Sequence, residues 1–482
     1  MQQRVDQNIK EFIDDLKLSL LKQPLDEAML QAELIGYLLH ANLVDIYSLN
    51  DIESYFIEQF FYSLSDNIEV KESNTDSRDR KILFIATELY MTGGHTRLME
   101  RLAMFLDSKP DLLIARKPSE LIIERQRKFF SNIYSDFDRT VSNLEQASFI
   151  LNIILGYDLI ILNTHPEDIF SIIVCGLAKR MNKDIKVHFV NHSDHTFTYG
   201  SSIADVWYEI SEYGKNIDNL RGLTAQKYFL GIPVDTSINN GIRDFKFHDG
   251  DLILTAASGY KYKPSNGNSI MPLVKALLDK YKMSTFHVIG VNIFRDYWWW
   301  LLKFKYGKRL ILSGSLPYEE YLNVTSKAKL YIDSHPLPGG TAFVEQFLQG
   351  RLCSGLSSDF KGYSPVELCK RHDSISVLSY IESIEKEQLA IVREAVIKTH
   401  GYDSVKDRFC RSIFGKSDAS SSSVSLSEED GFVIKKVSRL NYIPAGLKLY
   451  SLKQFCLLVS AAHKSKVGIY LLKFIARKFM VK

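Results

Sequence analysis

The chain has 482 residues, of which 45% are hydrophobic and 24% are charged. A single hydrophobic core stops growing at roughly 250 to 300 residues, so the length predicts at least two domains. With only 26 glycines and 12 prolines, the composition excludes a collagen-like or mainly disordered protein.

The sequence indicates a cytoplasmic protein. The five cysteines are widely separated and include no Cys-x-x-Cys pair, so neither a disulfide framework nor a zinc cage is expected. The first residues include Asp6, Glu11, Asp14 and Asp15 and lack the apolar core of a secretory signal. No apolar run approaches the roughly 20 residues that a membrane-spanning helix needs.

The order of patterns along the chain predicts a multidomain α/β protein. Apolar residues at helical spacing predict a helical extension over 1–75. Apolar, strand-like runs then alternate with amphipathic segments in two series, over 76–235 and 236–415, which is typical of parallel sheets covered by helices. A serine-rich linker over 416–430 and a basic tail over 431–482 follow. The predicted strands are 82–86, 112–115, 159–162, 187–190, 252–256, 285–289, 310–312 and 330–332.

Two glycine pairs lie where a predicted strand runs into a helix. Glycine lets the backbone approach a ligand closely, and a helix N-terminus offers unpaired N–H groups to an anion. We expect Gly339, Gly340 and the Thr341 hydroxyl to bind a diphosphate. Gly93 and Gly94 form either a second such loop or an ordinary tight connection.

Three charged residues are candidates for the same site. Glu345, one turn beyond Gly340, is expected to reach a sugar hydroxyl, with a solvated helix position as the alternative. Lys261 and Lys263 follow the predicted strand 252–256, at the edge where open parallel sheets bind ligands. An ammonium group there would neutralise charge on a departing phosphate, although most lysines are simply surface residues.

Histidines and an aspartate cluster after two strands of the first series. His165 follows strand 159–162, and His192, Asp194 and His195 follow the next predicted strand. Because histidine titrates near neutral pH, this group predicts a general base with an orienting partner. A zinc site, for which no known ligand spacing is present, and histidines hydrogen-bonded for structural reasons are the alternatives.

The tryptophan run predicts a structural helix. Residues 297–300 hold three of the four tryptophans, and we expect this helix to pack on the second sheet, because aromatic side chains dominate protein cores.

The basic tail predicts a membrane contact. Residues 431–482 contain eleven Lys or Arg and no Asp or Glu, whereas the rest of the chain has more acidic than basic residues. Over 466–482 the cations alternate with apolar residues, as in helices that lie on an anionic lipid surface. We expect a peripheral protein on the inner face of the plasma membrane. A helix packed on the body of the protein is the alternative, and nucleic acid is the least expected partner.

Together, the motifs resemble bacterial glycosyltransferases of the GT-B fold. The resemblance implies two Rossmann-like domains that face each other across a cleft, with a nucleotide-diphosphate sugar in the second and the acceptor in the first, and with neither metal nor cofactor. Residues 191–197 are also similar to a signature of enzymes that build capsule or O-antigen chains. The matching segments are Lys81-Ile-Leu-Phe-Ile with Gly93-Gly94, Asp158-Leu-Ile-Ile-Leu-Asn-Thr-His165, Gly231-Ile-Pro-Val-Asp235, and Gly339-Gly340-Thr341 with Glu345 and Gly350.

Two positions depart from the family pattern. Leu337 occupies the place of the earlier glutamate of a Glu-x₇-Glu pair, and Tyr260 and Lys261 stand near the usual arginine of the phosphate clamp. The stereochemical outcome therefore stays open. The resemblance implies a transferase that extends a lipid-linked surface polysaccharide. A teichoic-acid-type polyol-phosphate polymerase and a non-catalytic membrane scaffold for polysaccharide assembly are the alternatives.

Overall fold

A computed structural model describes residues 6–64, 80–91, 93–137, 141–235, 246–265, 267–414 and 437–480. The predicted linker 416–430 and residues 431–436, 481 and 482 of the basic tail lie outside these residues. No helix within the described ranges is both long and apolar enough to cross a membrane.

Three helices precede two α/β domains, and two helices end the chain. The described helices are α1 Gln7–Leu20, α2 Leu25–Asn42, α3 Asn50–Leu64, α4 Gly94–Met104, α5 Glu120–Gln126, α6 Asn143–Ile154, α7 Ile169–Met181, α8 Glu212–Arg221, α9 Met271–Lys280, α10 Trp300–Tyr306, α11 Tyr318–Ser326, α12 Thr341–Leu348, α13 Ser374–Ser383, α14 Lys386–His400, α15 Tyr402–Ile413, α16 Leu452–Ala461 and α17 Lys464–Met480. The described strands are β1 Ile82–Ala86, β2 Asp111–Ile114, β3 Ile133–Tyr134, β4 Leu159–Asn163, β5 Lys186–Asn191, β6 Val206–Glu209, β7 Gln226–Phe229, β8 Leu252–Ala256, β9 Thr285–Ile289, β10 Leu310–Ser313, β11 Ala328–Ile332, β12 Leu352–Leu356 and β13 Lys370–Arg371.

Each domain contains one parallel sheet. The first sheet has the order β3-β2-β1-β4-β5-β6-β7, and the second has the order β10-β9-β8-β11-β12-β13. Both orders run outward from the first strand to one edge and then resume on its other side, which is the doubly wound Rossmann-like topology. All five residues of β4 and of β12 are buried, because helices cover both faces of each sheet. The predicted fold class, two Rossmann-like α/β domains with a helical N-terminus, is confirmed.

The N-terminal helices share a hydrophobic core with the first domain. A Cβ on Gly176 of α7 would lie 2.4 Å from Ile57, so α3 packs directly against the backbone of α7. The buried Glu53 carboxylate accepts hydrogen bonds from the N–H groups of Gly200 (2.8 Å) and Ser202 (3.2 Å). The extension is therefore an integral part of the first domain's packing.

The described part of the basic tail lies on these N-terminal helices. The side-chain amide of Gln454 in α16 donates to the Asp15 carbonyl (3.2 Å) and to the Ser19 hydroxyl (2.6 Å) of α1. Lys448 forms an ion pair with Glu27 at 2.8 Å. The buried apolar residues of this segment are Leu440, Ile443, Leu447, Leu458, Ala461, Ala462, Val467 and Tyr470. Most of the described tail thus packs on the body, which corrects the expectation that all of 431–482 is a membrane-attaching segment.

Helix α15 follows the second sheet in the chain but packs on the first domain. Tyr402 contacts Phe105 with ring centroids 4.7 Å apart, and the Ser412 hydroxyl is hydrogen-bonded to the Tyr208 hydroxyl. The Arg80 guanidinium donates to the Ile413 carbonyl at 2.8 Å. The last helix of the range expected for the second domain therefore ties the two domains together.

Candidate functional site

A cleft of about 720 Å³ lies between the two domains. Its lining comes mainly from segments that follow the carboxyl ends of β1, β4, β5, β8 and β11. Ligands of open α/β sheets bind at this edge because the connections between strands and helices leave a crevice there. The geometry of the two sheets thus defines the candidate site.

The first glycine pair opens helix α4 onto the cleft. Gly93 is the N-cap of α4, has a φ of 146° that residues with a side chain rarely adopt, and no side chain caps the helix. A Cβ on Gly94 would lie 3.2 Å from the Thr341 hydroxyl oxygen. The two glycine loops predicted from the sequence therefore face each other across the cleft.

The second glycine loop is held by a buried ion pair. One carboxylate oxygen of Asp333 accepts from the N–H groups of Ser334 and Gly339, both at 2.9 Å, and the other lies 2.7 Å from the Lys370 ammonium. A Cβ on Gly339 would lie 2.7 Å from the Asp333 carboxylate, so only glycine fits without a shift. The Gly339 N–H is thus engaged within the protein, which corrects the expectation that it binds a phosphate.

The N-terminus of α12 remains open to an anion. Gly340 is its N-cap and no side chain caps the helix, so the N–H groups of its first turn have no intrahelical partners. Gly340, Thr341 and Ala342 line the cleft. The Lys261 ammonium, from the segment that follows β8, donates to the Pro338 carbonyl of the second glycine loop at 2.7 Å. Lys263 is exposed and does not line the cleft, so the structure separates the two predicted lysines. Helix dipole and ammonium together favour negative charge at this position.

Five histidines line the opposite wall. The predicted His165, His192 and His195 are joined by His40 and His95, which the sequence patterns did not single out as site residues. The His95 ring stacks on His192 with centroids 5.3 Å apart and meets His165 edge-on at 5.6 Å. His95 belongs to the first glycine motif, and its place beside Gly94 is the signal that would have identified it.

Burial keeps three of these rings neutral near neutral pH. It lowers the pKa of His95 to about 4, and burial together with the nearby His195 lowers the pKa of His40 to about 4. Burial also holds the pKa of His192 well below its usual value. Among the described residues, the buried Nδ1 of His192 has no hydrogen-bond partner. The histidine wall therefore presents neutral imidazoles to a ligand.

An aspartate, a tyrosine and a histidine form a chain of hydrogen bonds. The Tyr363 hydroxyl lies 3.2 Å from the Asp194 carboxylate and 3.0 Å from His195 Nδ1. A hydroxyl has one proton, so a hydroxyl that donates to Asp194 accepts from the Nδ1–H of His195, which leaves the lone pair on Nε2. This is the arrangement of a general base with an orienting partner.

Asp194 itself is fully buried and does not line the cleft. Its expected role as a direct base is corrected, because Tyr363 and the Ser211 hydroxyl occupy its carboxylate. Tyr363 comes from the second domain and lies 168 residues from His195 in the chain. No local motif marks it, so sequence patterns did not identify it.

Arg116 is a further cleft residue that the sequence did not indicate. Its guanidinium forms ion pairs with Glu88 (2.8 Å) and Glu33 (2.5 Å) and lies 3.8 Å from Glu167. Burial alone would raise the pKa of Glu167, but the hydrogen bond and charge of His165, together with Arg116, lower it overall. This polar cluster holds His165 at the rim of the cleft.

Glu345 lies outside the cleft lining. Its buried carboxylate forms ion pairs with Arg97 and with Arg101, the latter at 3.1 Å, both on α4 of the first domain. The expectation that Glu345 reaches a sugar hydroxyl is corrected, because these arginines occupy it. Glu345 instead joins the two domains behind the facing glycine loops.

Within the described ranges, no group of three or more His, Cys, Asp or Glu side chains is placed to hold a metal ion. The histidines of the cleft contact one another through their ring faces and edges.

Comparison with solved structures identifies the fold. No protein-family model matches the sequence, and no curated protein matches it. Among solved structures, HepE from Anabaena in complex with UDP-glucose has a TM-score of 0.52 at 13% identity, covering 70% of this chain and 100% of that one. A glycosyltransferase from Rickettsia africae gives a TM-score of 0.52, also at 13% identity and the same coverage. This chain has the GT-B fold. At such identity, the likeness concerns the fold alone.

Proposed function

We propose that the chain is a glycosyltransferase that moves a sugar from a nucleoside-diphosphate donor to an acceptor hydroxyl in this cleft. The observation that carries the proposal is the open N-terminus of α12, which faces the histidine wall of the first domain across the cleft. The structurally similar HepE was crystallised with UDP-glucose, which supports a sugar nucleotide as donor.

In this proposal the diphosphate binds at the N-terminus of α12. The N–H groups of its first turn and the Thr341 hydroxyl donate to phosphate oxygens, and the Lys261 ammonium beside the loop supplies positive charge. Negative charge grows on the diphosphate as the bond to the sugar breaks, so donors fixed there stabilise the transition state more than the ground state.

The acceptor is activated by His195. Its Nδ1 is held by Tyr363, which is in turn held by Asp194, so Nε2 is oriented to take the proton of the acceptor hydroxyl. The neutral His95 and His192 rings beside it offer hydrogen bonds to sugar hydroxyls without repelling a positive charge that develops on His195.

We further propose that the acceptor is a growing lipid-linked surface polysaccharide of the capsule or O-antigen type. The protein would reach it from the inner face of the plasma membrane. The supporting feature is α17, whose exposed Ile469, Leu472 and Ile475 accompany the cations Lys464, Lys466 and Lys473. An exposed apolar surface with cations favours an anionic lipid interface.

The donor proposal is tested by calorimetric titration with UDP, GDP and CMP. We expect a nucleoside diphosphate to bind, and Gly340→Asp to abolish binding because its carboxylate meets the diphosphate. Gly340→Ala is the matched control, since its Cβ would lie 3.3 Å from Ile232 and 3.9 Å from the Tyr363 ring and adds no charge. Binding of CMP alone would favour a polyol-phosphate polymerase, and equal binding to the Asp variant would remove α12 from the site.

A further inference from the structure

The segment around α10 exposes an unusual concentration of large apolar side chains. Phe294 is 88% exposed, Leu301 84% and Phe304 94%, and Tyr297 and Trp300 are also more than half exposed. Scattered exposed apolar residues are normal, but a contiguous group marks an interaction surface. We call these five residues the aromatic patch.

The exposed side chains share one face of the helix. Tyr297, Trp300, Leu301 and Phe304 have the spacing i, i+3, i+4 and i+7, which places them together on a helical surface. Trp299, by contrast, is fully buried. The expectation that the tryptophan run packs on the second sheet is therefore correct for Trp299 and wrong for Trp300. The apolar face of α10 points away from the protein.

The buried side of the segment keeps the patch in place. Trp299 packs edge-on against Tyr262 with ring centroids 5.5 Å apart, and the Trp300 indole N–H donates to the Ile293 carbonyl at 2.5 Å. The Asp296 carboxylate accepts from the Asn292 N–H at 2.8 Å. The aromatic patch thus rests on an ordered platform.

Positive charge surrounds the patch. Residues 293–309 contain five Lys or Arg and a single acidic residue, Asp296, which is buried. Within this segment, the cations Arg295, Lys305 and Lys308 are exposed. Arg295 pairs with Asp296 at 3.3 Å, and Lys305 pairs with Asp279 of α9, which also pairs with Lys275. Exposed aromatic residues with surrounding cations complement the headgroup region of an anionic bilayer, where the rings lie at the interface and cations meet lipid phosphates.

The patch is directly connected to the cleft. Gly259 lies so close to Asp296 that a Cβ there would be 2.2 Å from its carboxylate. Gly259 is two residues before Lys261, whose ammonium donates to the Pro338 carbonyl of the second glycine loop. A surface bound through the patch would therefore lie next to the donor side of the cleft.

We propose that the aromatic patch is a membrane-docking surface that inserts into the headgroup region of anionic phospholipid. It is a second lipid contact, separate from α17, and it brings the cleft to the level at which lipid-linked substrates are presented. The docking itself does not depend on the proposed glycosyl transfer.

The first test is co-sedimentation with phosphatidylglycerol–phosphatidylcholine vesicles and with phosphatidylcholine vesicles alone. We expect L301Q/F304Q to weaken binding to the anionic vesicles by about tenfold or more, because two inserting side chains are lost. The matched control is M283Q/I375Q, whose side chains are 75% and 80% exposed outside the patch and whose binding should equal that of the unaltered protein.

Trp300 provides a second readout. Trp207 and Trp299 are fully buried and Trp298 is partly buried, so a blue shift of emission on adding anionic vesicles should come from Trp300. The shift should disappear in W300F while most vesicle binding remains. No shift in the unaltered protein, despite vesicle binding, would overturn the proposal.

Two other outcomes would also overturn it. Unchanged binding of L301Q/F304Q, with loss of binding in the α17 variant L472Q/I475Q, would assign lipid contact to α17 alone. If the unaltered protein instead binds no vesicles and L301Q/F304Q changes the oligomeric state in sedimentation velocity, the patch would be an interface between copies of the chain. Nucleotide titration of L301Q/F304Q separates this result from the donor proposal, since donor binding should be unchanged.

Discussion

The Glu345 carboxylate of the second domain accepts a hydrogen bond from the Arg97 guanidinium of the first, and Arg101 pairs with the same oxygen. The carboxylate is only 8% exposed, so water screens this contact little. It holds α12 and α4 together at the point where both helices begin at the cleft. This ion pair and the packing of α15 therefore both fix the separation of the two domains.

Charge reversal should show this dependence. We expect Arg97→Glu and Glu345→Arg each to lower stability by about 2 kcal/mol, because each brings like charges together in a mostly buried place. The double variant should recover part of the loss, since the pair is restored in the opposite sense. Thermal unfolding and the radius of gyration in solution measure both effects. Additive losses in the double variant would show that the two residues do not interact.

The Asp333 carboxylate should control the shape of the second glycine loop. Gly339→Ala places a Cβ 2.7 Å from that carboxylate, so the loop must shift, and we expect donor affinity to fall by about tenfold or more. Gly468→Ala in α17, where a Cβ meets nothing within 4 Å, is the control. Calorimetry with the nucleoside diphosphate measures the change. Unaltered affinity in Gly339→Ala would mean that the loop does not form the donor site.

His195 and Tyr363 should affect turnover more than donor binding. We expect His195→Asn to lower kcat by roughly a hundredfold or more, and Tyr363→Phe by about tenfold, because the first removes the base and the second only its orientation. Donor affinity should remain, since neither side chain belongs to the diphosphate loop. His372→Asn at an exposed position is the control. Full activity of His195→Asn would exclude it as the base.

The pH dependence of stability should report on His400. Burial and the nearby Arg408 lower the pKa of this imidazole to about 3, and its Nδ1 accepts from the Ile232 N–H at 3.0 Å. In the unfolded chain, the His400 imidazole binds a proton as the pH falls through about 6.5. In the folded protein it does so only near pH 3. The stabilisation is therefore complete above pH 6.5 and is lost as the pH falls towards 3, by about 1.4 kcal/mol per pH unit.

Between pH 6.5 and 4, the thermal unfolding midpoint should therefore fall less in the variant His400→Gln than in the unaltered protein. His248→Gln, at an exposed position, serves as the control and should follow the unaltered protein. Equal acid sensitivity in all three proteins would show that His400 is not the group responsible.

The sequence predicted eight of the thirteen described strands, each within two residues at either end. Strands β1 and β4, for example, are largely apolar runs buried on both faces. Burial alone did not suffice, since the interior strands β6 and β12 are fully buried and were not predicted. Strand β7 lies at an edge of the first sheet and is exposed or half-buried along its whole length, so its residues need not be apolar.

The sequence likewise predicted only part of the candidate site. Glycine pairs and histidines at strand ends were found because parallel strands bring their carboxyl ends to one edge. Contacts between domains were not, because they join residues far apart in the chain, as Tyr363 and His195 show. Nothing local reveals that the face of α12 bearing Glu345 meets two arginines of α4.

The packing of α16 on α1 bears on the order of events during synthesis. The partners of Gln454 lie in α1, more than 430 residues earlier in the chain, so they have been exposed for nearly the whole time of translation. The part of the apolar surface of α1 that α16 covers stays exposed until α16 leaves the ribosome, although domains generally fold as they emerge. A nascent chain halted before α16 would therefore expose this apolar surface of α1. We expect chaperones to bind such a chain.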